Sequence, residues 1–152
     1  MSTPETLLAF DFGLKRIGIA AGDSLTRSAA PRAAVACHAH GPDWDAIARE
    51  VRALAPARLV VGEPYNADGS EGVMTQRARA FAHELTRRFA LPVHLVDERY
   101  SSLEATAALA QQRARGERTR RVSRAAIDSA AAAVILKRYF AGEGPLVRKE
   151  QP

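Results

Sequence analysis

The chain is poor in cysteine and in long apolar runs, and each shortage excludes a class of protein. Cys37 is its single cysteine, so no disulfide scaffold is possible. A zinc site would rely mainly on four histidines, which lack a usual zinc spacing. No apolar run approaches the roughly 20 residues of a membrane span. The start, Met1–Glu5, lacks the basic and apolar pattern of a signal peptide. We therefore expect a cytoplasmic protein with no membrane partner.

The length and composition favour one globular domain. The chain has 152 residues, 47% of them hydrophobic and 26% charged, which argues against wholesale disorder. We predict a single domain over residues 1–142 and a flexible tail over 143–152. The net charge is +5, and 19 of the 22 basic residues are Arg. Either a polyanionic partner or a GC-rich genome explains this excess, and the total charge does not separate the two.

Apolar patterns and turn signals predict the element order β-β-β-α-β-α-β-α-α. The predicted strands are Leu7–Gly13, Arg16–Ala21, Ala33–Cys37, Arg58–Gly62 and Pro92–Asp97. The predicted helices are Pro42–Leu54, Val73–Phe89, Ser102–Gln112 and Ser123–Tyr139. A hairpin followed by βαβ units indicates an α/β fold with a mixed five-stranded sheet and helices on both faces. The first, fourth and fifth strands should be parallel neighbours.

Two acidic residues lie near the carboxyl ends of the parallel strands, where function collects in such a fold, and a third lies on the last helix. Asp11 ends the first strand and Glu98 follows the fifth. Asp128 interrupts the apolar stripe of the last helix. A carboxylate in apolar surroundings is costly unless a basic side chain or a cation neutralises it, and hard cations favour clustered carboxylates. The acids predict a site for one or two Mg²⁺ or Mn²⁺ ions, suited to phosphodiester hydrolysis. Surface or salt-bridged acids are the alternative.

Four motifs in order resemble those of the YqgF/RuvX family, bacterial nucleases with the RNase H-like fold. The matching segments are Leu8–Gly13 with Lys15–Gly18 after it, Val60–Gly69, Asp97–Ser102 and Ile127–Ala132. The second is similar to the family's G-x-P-x-N-x-D-G, the third to D-E-R-x-S-T and the last to D-x-A-A-A. The resemblance implies that Asp11, Glu98 and Asp128 are the catalytic carboxylates and the ligands of Mg²⁺ or Mn²⁺. These are the three acids that their placement also selects.

The resemblance also implies an activity and its partners. It predicts a nuclease that processes the 5′ end of pre-16S rRNA during ribosome biogenesis, or alternatively a Holliday-junction resolvase. The partner would be nucleic acid, either an rRNA precursor or structured DNA, and the protein a monomer or homodimer. A stable homodimer would favour the resolvase. A hypothesis of another class is an RNA-binding assembly factor without catalysis.

Further residues are candidates for substrate contacts. They are Gly13, Lys15, Asn66, Arg99, Arg120, Arg121 and Arg124. The last three belong to the stretch 113–124, which holds six Arg against one Glu and directly precedes the helix of Asp128. Such a stretch suits phosphate contacts, although a solvated loop is the usual interpretation of a charge run. Lys15 and Asn66 equally fit an exposed hairpin and an ordinary turn.

Two more acids have open roles. Glu63 stands where the family is often apolar, and it would either approach the metal or pair with an Arg. Asp97 precedes Glu98, and alternation along a strand predicts that the two side chains point to opposite faces.

Overall fold

The computed structural model describes residues 3–98, 123–142 and 146–147. The strands are β1 (Thr6–Asp11), β2 (Arg16–Asp23), β3 (Ser28–His38), β4 (Gly41–Pro42), β5 (Arg58–Glu63), β6 (Val93–Asp97) and β7 (Leu146–Val147). The helices are α1 (Trp44–Leu54), α2 (Val73–Phe89) and α3 (Arg124–Phe140). The helix predicted over Ser102–Gln112 lies outside the described residues. None of the described helices has the length and apolarity needed to cross a membrane.

The strands form one mixed sheet in the order β4-β3-β2-β1-β5-β6-β7. β1, β5 and β6 are parallel neighbours, which confirms that prediction, and the other pairs are antiparallel. The sheet has more strands than the five expected, because β4 and β7 have two residues each and so carry no alternation to detect. β7 falls within the predicted tail 143–152, and the rest of that tail lies outside the described residues.

The central strand β1 is buried on both faces, which explains its continuous apolar sequence. Leu8 and Phe10 pack in the cluster that includes residues of α1 and α2. Leu7 and Ala9 pack in the cluster that includes α3. The predicted helices on both faces are therefore confirmed. Because side chains alternate along a strand, Asp11 continues the Leu7–Ala9 series and belongs to the α3 face.

Side-chain caps fix where two of the helices begin. Asp43 precedes α1 and accepts a hydrogen bond from Ala46 N at 3.1 Å. Ser123 precedes α3 and accepts from Ala126 N at 3.1 Å, which makes it the N-cap residue at the start of the predicted helix. Asp128 thus lies beyond the first turn of α3 and is not a capping residue.

Small residues bring α3 close to β2. A Cβ at Gly18 would collide with the Asp128 carbonyl group and would lie 2.8 Å from Ser129 N. The Ser129 hydroxyl accepts a hydrogen bond from Ile19 N at 3.4 Å. Ala132 of α3 packs against Ala20 in the same layer. This close packing fixes the position of Asp128 relative to the start of β2.

Candidate active site

Asp11 and Glu98, hereafter the acid pair, come together on the α3 face of the sheet. Asp11 ends β1, Glu98 directly follows β6, and β5 lies between these strands. Gly62 of β5 leaves room for the Glu98 side chain, since a Cβ there would collide with Glu98 Oε2 and Ile135 Cδ1. Glu98 N also donates to Glu63 O at 3.2 Å, which continues the strand pairing up to the acid. The strand ends therefore place two carboxyl groups at one edge of the sheet, with that of Glu98 over Gly62.

Burial dominates the electrostatics of the acid pair. It raises the pKa of Asp11, and the negative charge of Asp128 raises it further, while a hydrogen bond with Glu98 lowers it. Burial likewise raises the pKa of Glu98, and the charge of Asp11 and the hydrogen bond with it act in the same direction. A hydrogen bond between two carboxyl groups needs a proton on one of them. Because burial removes solvent from the acid pair, its negative charge has to be neutralised by a proton or by a cation.

Asp128 lies on the same face but has a different partner. Arg16 Nε donates to Asp128 Oδ2 at 2.9 Å. The Asp128 charge still acts on Asp11, so the three acids belong to one electrostatic site. Within residues 3–98, 123–142 and 146–147, no three His, Cys, Asp or Glu side chains are grouped closely enough to hold a metal ion. The structure brings two of the predicted ligands into contact and holds the third through Arg16.

The donor chemistry of the acid pair fits a hard divalent cation. Mg²⁺ and Mn²⁺ prefer carboxylate oxygens, and the pair offers two such groups at one point. Both carboxyls are poorly solvated, so a cation between them would supply the neutralising charge that burial demands. Asp128, whose Oδ2 accepts from Arg16, would supply a third carboxylate.

Glu63, the fourth acid at a strand end, faces away from the acid pair. It is 8% exposed and forms an ion pair with Arg79 of α2. The Tyr65 hydroxyl donates to Glu63 Oε1 at 2.6 Å, and Arg79 also binds Glu71 Oε1 at 2.8 Å. The sequence leaves two roles open for Glu63, contact with the metal or an ion pair with an Arg, and the structure shows the ion pair. The network holds the loop after β5 against α2.

Asp97 has a structural contact at its main chain. Its carbonyl oxygen accepts a hydrogen bond from Arg138 Nη1 of α3 at 2.9 Å. The positive charge of Arg138 lowers the pKa of Glu98, against the larger effect of burial. Arg138 therefore anchors the end of β6 to α3, one residue before the catalytic candidate. Nothing in the spacing of residues 97 and 138 could have predicted this contact.

The remaining candidates are distributed around this edge of the sheet. A Cβ at Gly13 would lie 2.5 Å from Arg16 O, so the β1–β2 turn needs glycine there. Lys15 is exposed in the same turn, and Arg124 is exposed at the start of α3. The Asn66 side-chain amide donates to Ser70 Oγ at 3.0 Å, so it shapes the loop after β5. Three further candidates lie outside the described residues: Arg99, Arg120 and Arg121.

Comparisons with known proteins show which family the chain is similar to. A family model described as "RuvX: Holliday junction resolvase" matches residues 5–142. A protein of Xanthomonas oryzae pv. oryzae, named "Putative pre-16S rRNA nuclease", is 46% identical over 136 residues, which cover 90% of this chain and 87% of that protein. A protein of Xanthomonas campestris pv. campestris with the same name is 47% identical over 135 residues, which cover 89% and 86%.

Solved structures with a similar fold come from Thermus thermophilus. The chain of RuvC in complex with a Holliday junction substrate superposes with a TM-score of 0.56 at 14% sequence identity, covering 93% of this chain and 99% of that one. A second RuvC structure gives a TM-score of 0.53 with the same coverage. The fold is therefore RNase H-like, as the motifs predict.

Proposed function

The chain belongs to the RuvX family, and from this membership we propose that it is a metal-dependent nuclease that processes the 5′ end of precursor 16S rRNA. The observation that carries the proposal is the acid pair at the ends of β1 and β6. Two poorly solvated carboxyl groups in contact are unfavourable for stability alone, and they are the oxygen donors that a hydrolytic metal site needs. The name of the Xanthomonas relatives favours rRNA precursor as the substrate.

In this proposal Asp11, Glu98 and Asp128 hold one or two Mg²⁺ or Mn²⁺ ions. A bound divalent cation supplies acidity to the attacking water and stabilises charge on the leaving oxygen in phosphodiester hydrolysis. The acid pair binds in its deprotonated form, and Gly62 leaves the space above β5 clear for it. By analogy with the fold, cleavage leaves 5′-phosphate and 3′-hydroxyl ends.

Basic side chains around the acids suit the phosphates on either side of the scissile bond. Lys15 and Arg124 are exposed on two different elements next to the site. Cationic side chains bind the phosphate backbone and set its register without reading the bases. We assign the same role to Arg99, Arg120 and Arg121, and we assign the shaping of the neighbouring loops to Gly13 and Asn66.

The second candidate function keeps the chemistry and changes the substrate to a four-way DNA junction. The description of the family model favours it. Junction resolution normally needs two sites working together, so the two candidates differ in oligomeric state. Sedimentation at working concentration distinguishes a monomer from a stable homodimer. A non-catalytic RNA-binding factor would bind equally well with and without Mg²⁺ and would ignore substitution of the acids.

One experiment tests the proposal directly. The protein is incubated with matched rRNA-precursor and four-way-junction substrates in Mg²⁺, Mn²⁺ or chelator, and the ends produced are mapped. We expect cleavage of the precursor that chelator stops and that Asp11→Asn abolishes. Asp45→Asn is the matched control, since Asp45 is an exposed acid in the first turn of α1 and should leave cleavage intact. Cleavage by purified Asp11→Asn at the wild-type rate would refute the proposal.

A further inference from the structure

The Arg16–Asp128 ion pair is held by the packing of two elements. Arg16 begins β2 and Asp128 lies on α3, and their side chains are 34% and 29% exposed. The main chain of Asp128 lies against Gly18, so no side chain separates α3 from β2 at this point. Ile19 N donates to Ser129 Oγ one residue further along both elements. The packing of α3 on β2 therefore fixes the two charged groups next to each other, whereas many surface ion pairs depend on flexible side chains alone.

The pair lies where it affects the predicted metal ligands. Asp128 is close enough for its charge to act on Asp11, yet Oδ2 of Asp128 is occupied by the Arg16 guanidinium. A carboxylate that donates an oxygen to a cation loses part of its bond to an arginine, and two positive charges beside one carboxylate repel each other. Arg16 and a divalent cation therefore compete for the negative charge of Asp128.

We propose that Arg16 is a positioning residue that holds the Asp128 carboxylate until a divalent cation binds, and that binding of the cation displaces the guanidinium from Asp128. This inference rests on the proposed metal-dependent function. It assigns to Arg16 two effects: Asp128 stays ordered beside the acid pair, and the site binds its cation more weakly than the three carboxylates alone would. The displaced guanidinium stays at the start of β2, next to the exposed Lys15.

The test is isothermal titration calorimetry of the full chain with MnCl₂. We expect Arg16→Gln to bind Mn²⁺ about two- to five-fold more tightly than wild type, which is the range that a part-exposed ion pair gives. In an Asp128→Asn background, Arg16→Gln should have no further effect, because the carboxylate for which they compete is absent. Arg16→Lys, which keeps the charge but loses the Nε donor, should lie between wild type and Arg16→Gln.

Arg32→Gln is the matched control. Arg32 on β3 forms the same kind of Nε–carboxylate pair, with Glu50 Oε1 at 2.5 Å, and should leave Mn²⁺ affinity unchanged. The inference would be overturned if folded Arg16→Gln and Arg16→Lys both bind Mn²⁺ no more tightly than wild type. The proposed function would still stand. Wild type that shows no Mn²⁺ binding dependent on Asp11 would overturn both.

Discussion

We expect Gly62→Ala to lower Mn²⁺ affinity and cleavage strongly while it lowers thermal stability only moderately. The added Cβ would collide with Glu98 Oε2 and with Ile135 Cδ1, and both are ends of side chains that can move. Overpacking of this kind costs about 1–3 kcal/mol, which corresponds to a fall in Tm of about 2–12 °C for a chain of this size. Moving Glu98 separates it from Asp11, so we expect Mn²⁺ affinity and cleavage to fall about tenfold or more.

The two collisions can be separated with Ile135→Val, which removes the Cδ1 atom that meets the new Cβ. In the double variant Gly62→Ala/Ile135→Val, we expect Tm to recover part of the loss predicted by adding the single variants. Mn²⁺ affinity and cleavage should stay low, because the collision with Glu98 remains. Thermal melting by circular dichroism and calorimetric titration measure the two effects on the same samples. Wild-type Mn²⁺ affinity in Gly62→Ala would refute the idea that this glycine makes room for the acid pair.

Three further predictions concern charge and backbone. Without added metal, the free energy of unfolding should fall as pH rises above about 4, because the acid pair has raised pKa values and the native state binds more protons than the unfolded one. Urea melts in chelator should show a smaller fall for Asp11→Asn than for wild type. Saturating Mn²⁺ should reverse the fall in wild type. Ala90→Gly should raise Tm by about 2–4 °C, since Ala90 follows α2 at φ 54°, a left-handed conformation that favours glycine. Ala80→Gly within α2 should lower Tm, because glycine weakens a helix interior. Equal effects of the two substitutions would contradict this difference. Arg79→Gln should cost about 2–3 kcal/mol by removing the ion pair of buried Glu63, which urea melts measure; a change within about 0.5 kcal/mol, as at an ordinary surface position, would argue against it.

The acid pair could be predicted because it depends on local rules. Alternation along β1 and β6 fixes the faces of Asp11 and Glu98, and parallel strands bring their ends to one edge. The bounds of α2 and the cap at Ser123 also follow from short-range patterns. Each of these inferences needs only the neighbours of a residue in sequence, so a single chain is enough to make it.

The partners of the other acids could not be predicted, because they depend on how elements pack. The sequence indicates no particular partner for Asp128, and only the position of α3 on β2 selects Arg16. Arg79 reaches Glu63 from a helix whose rotation about its axis is set by the whole core. The two-residue strands β4 and β7 exist only through pairing with longer strands, so their own sequence carries no signal.

The sheet separates two layers of the molecule, one with α3 and one with α1 and α2, because β1 is buried on both faces. The two layers contribute to different properties of the protein. The acid pair and Asp128 belong to the α3 layer, whereas the Glu63–Arg79 network and the largest apolar cluster belong to the layer of α1 and α2. Substitutions in the second layer can therefore change thermal tolerance while the hydrolytic chemistry stays constant. A more robust version of this nuclease should be sought on the α1 and α2 side, and altered metal or substrate preference on the α3 side.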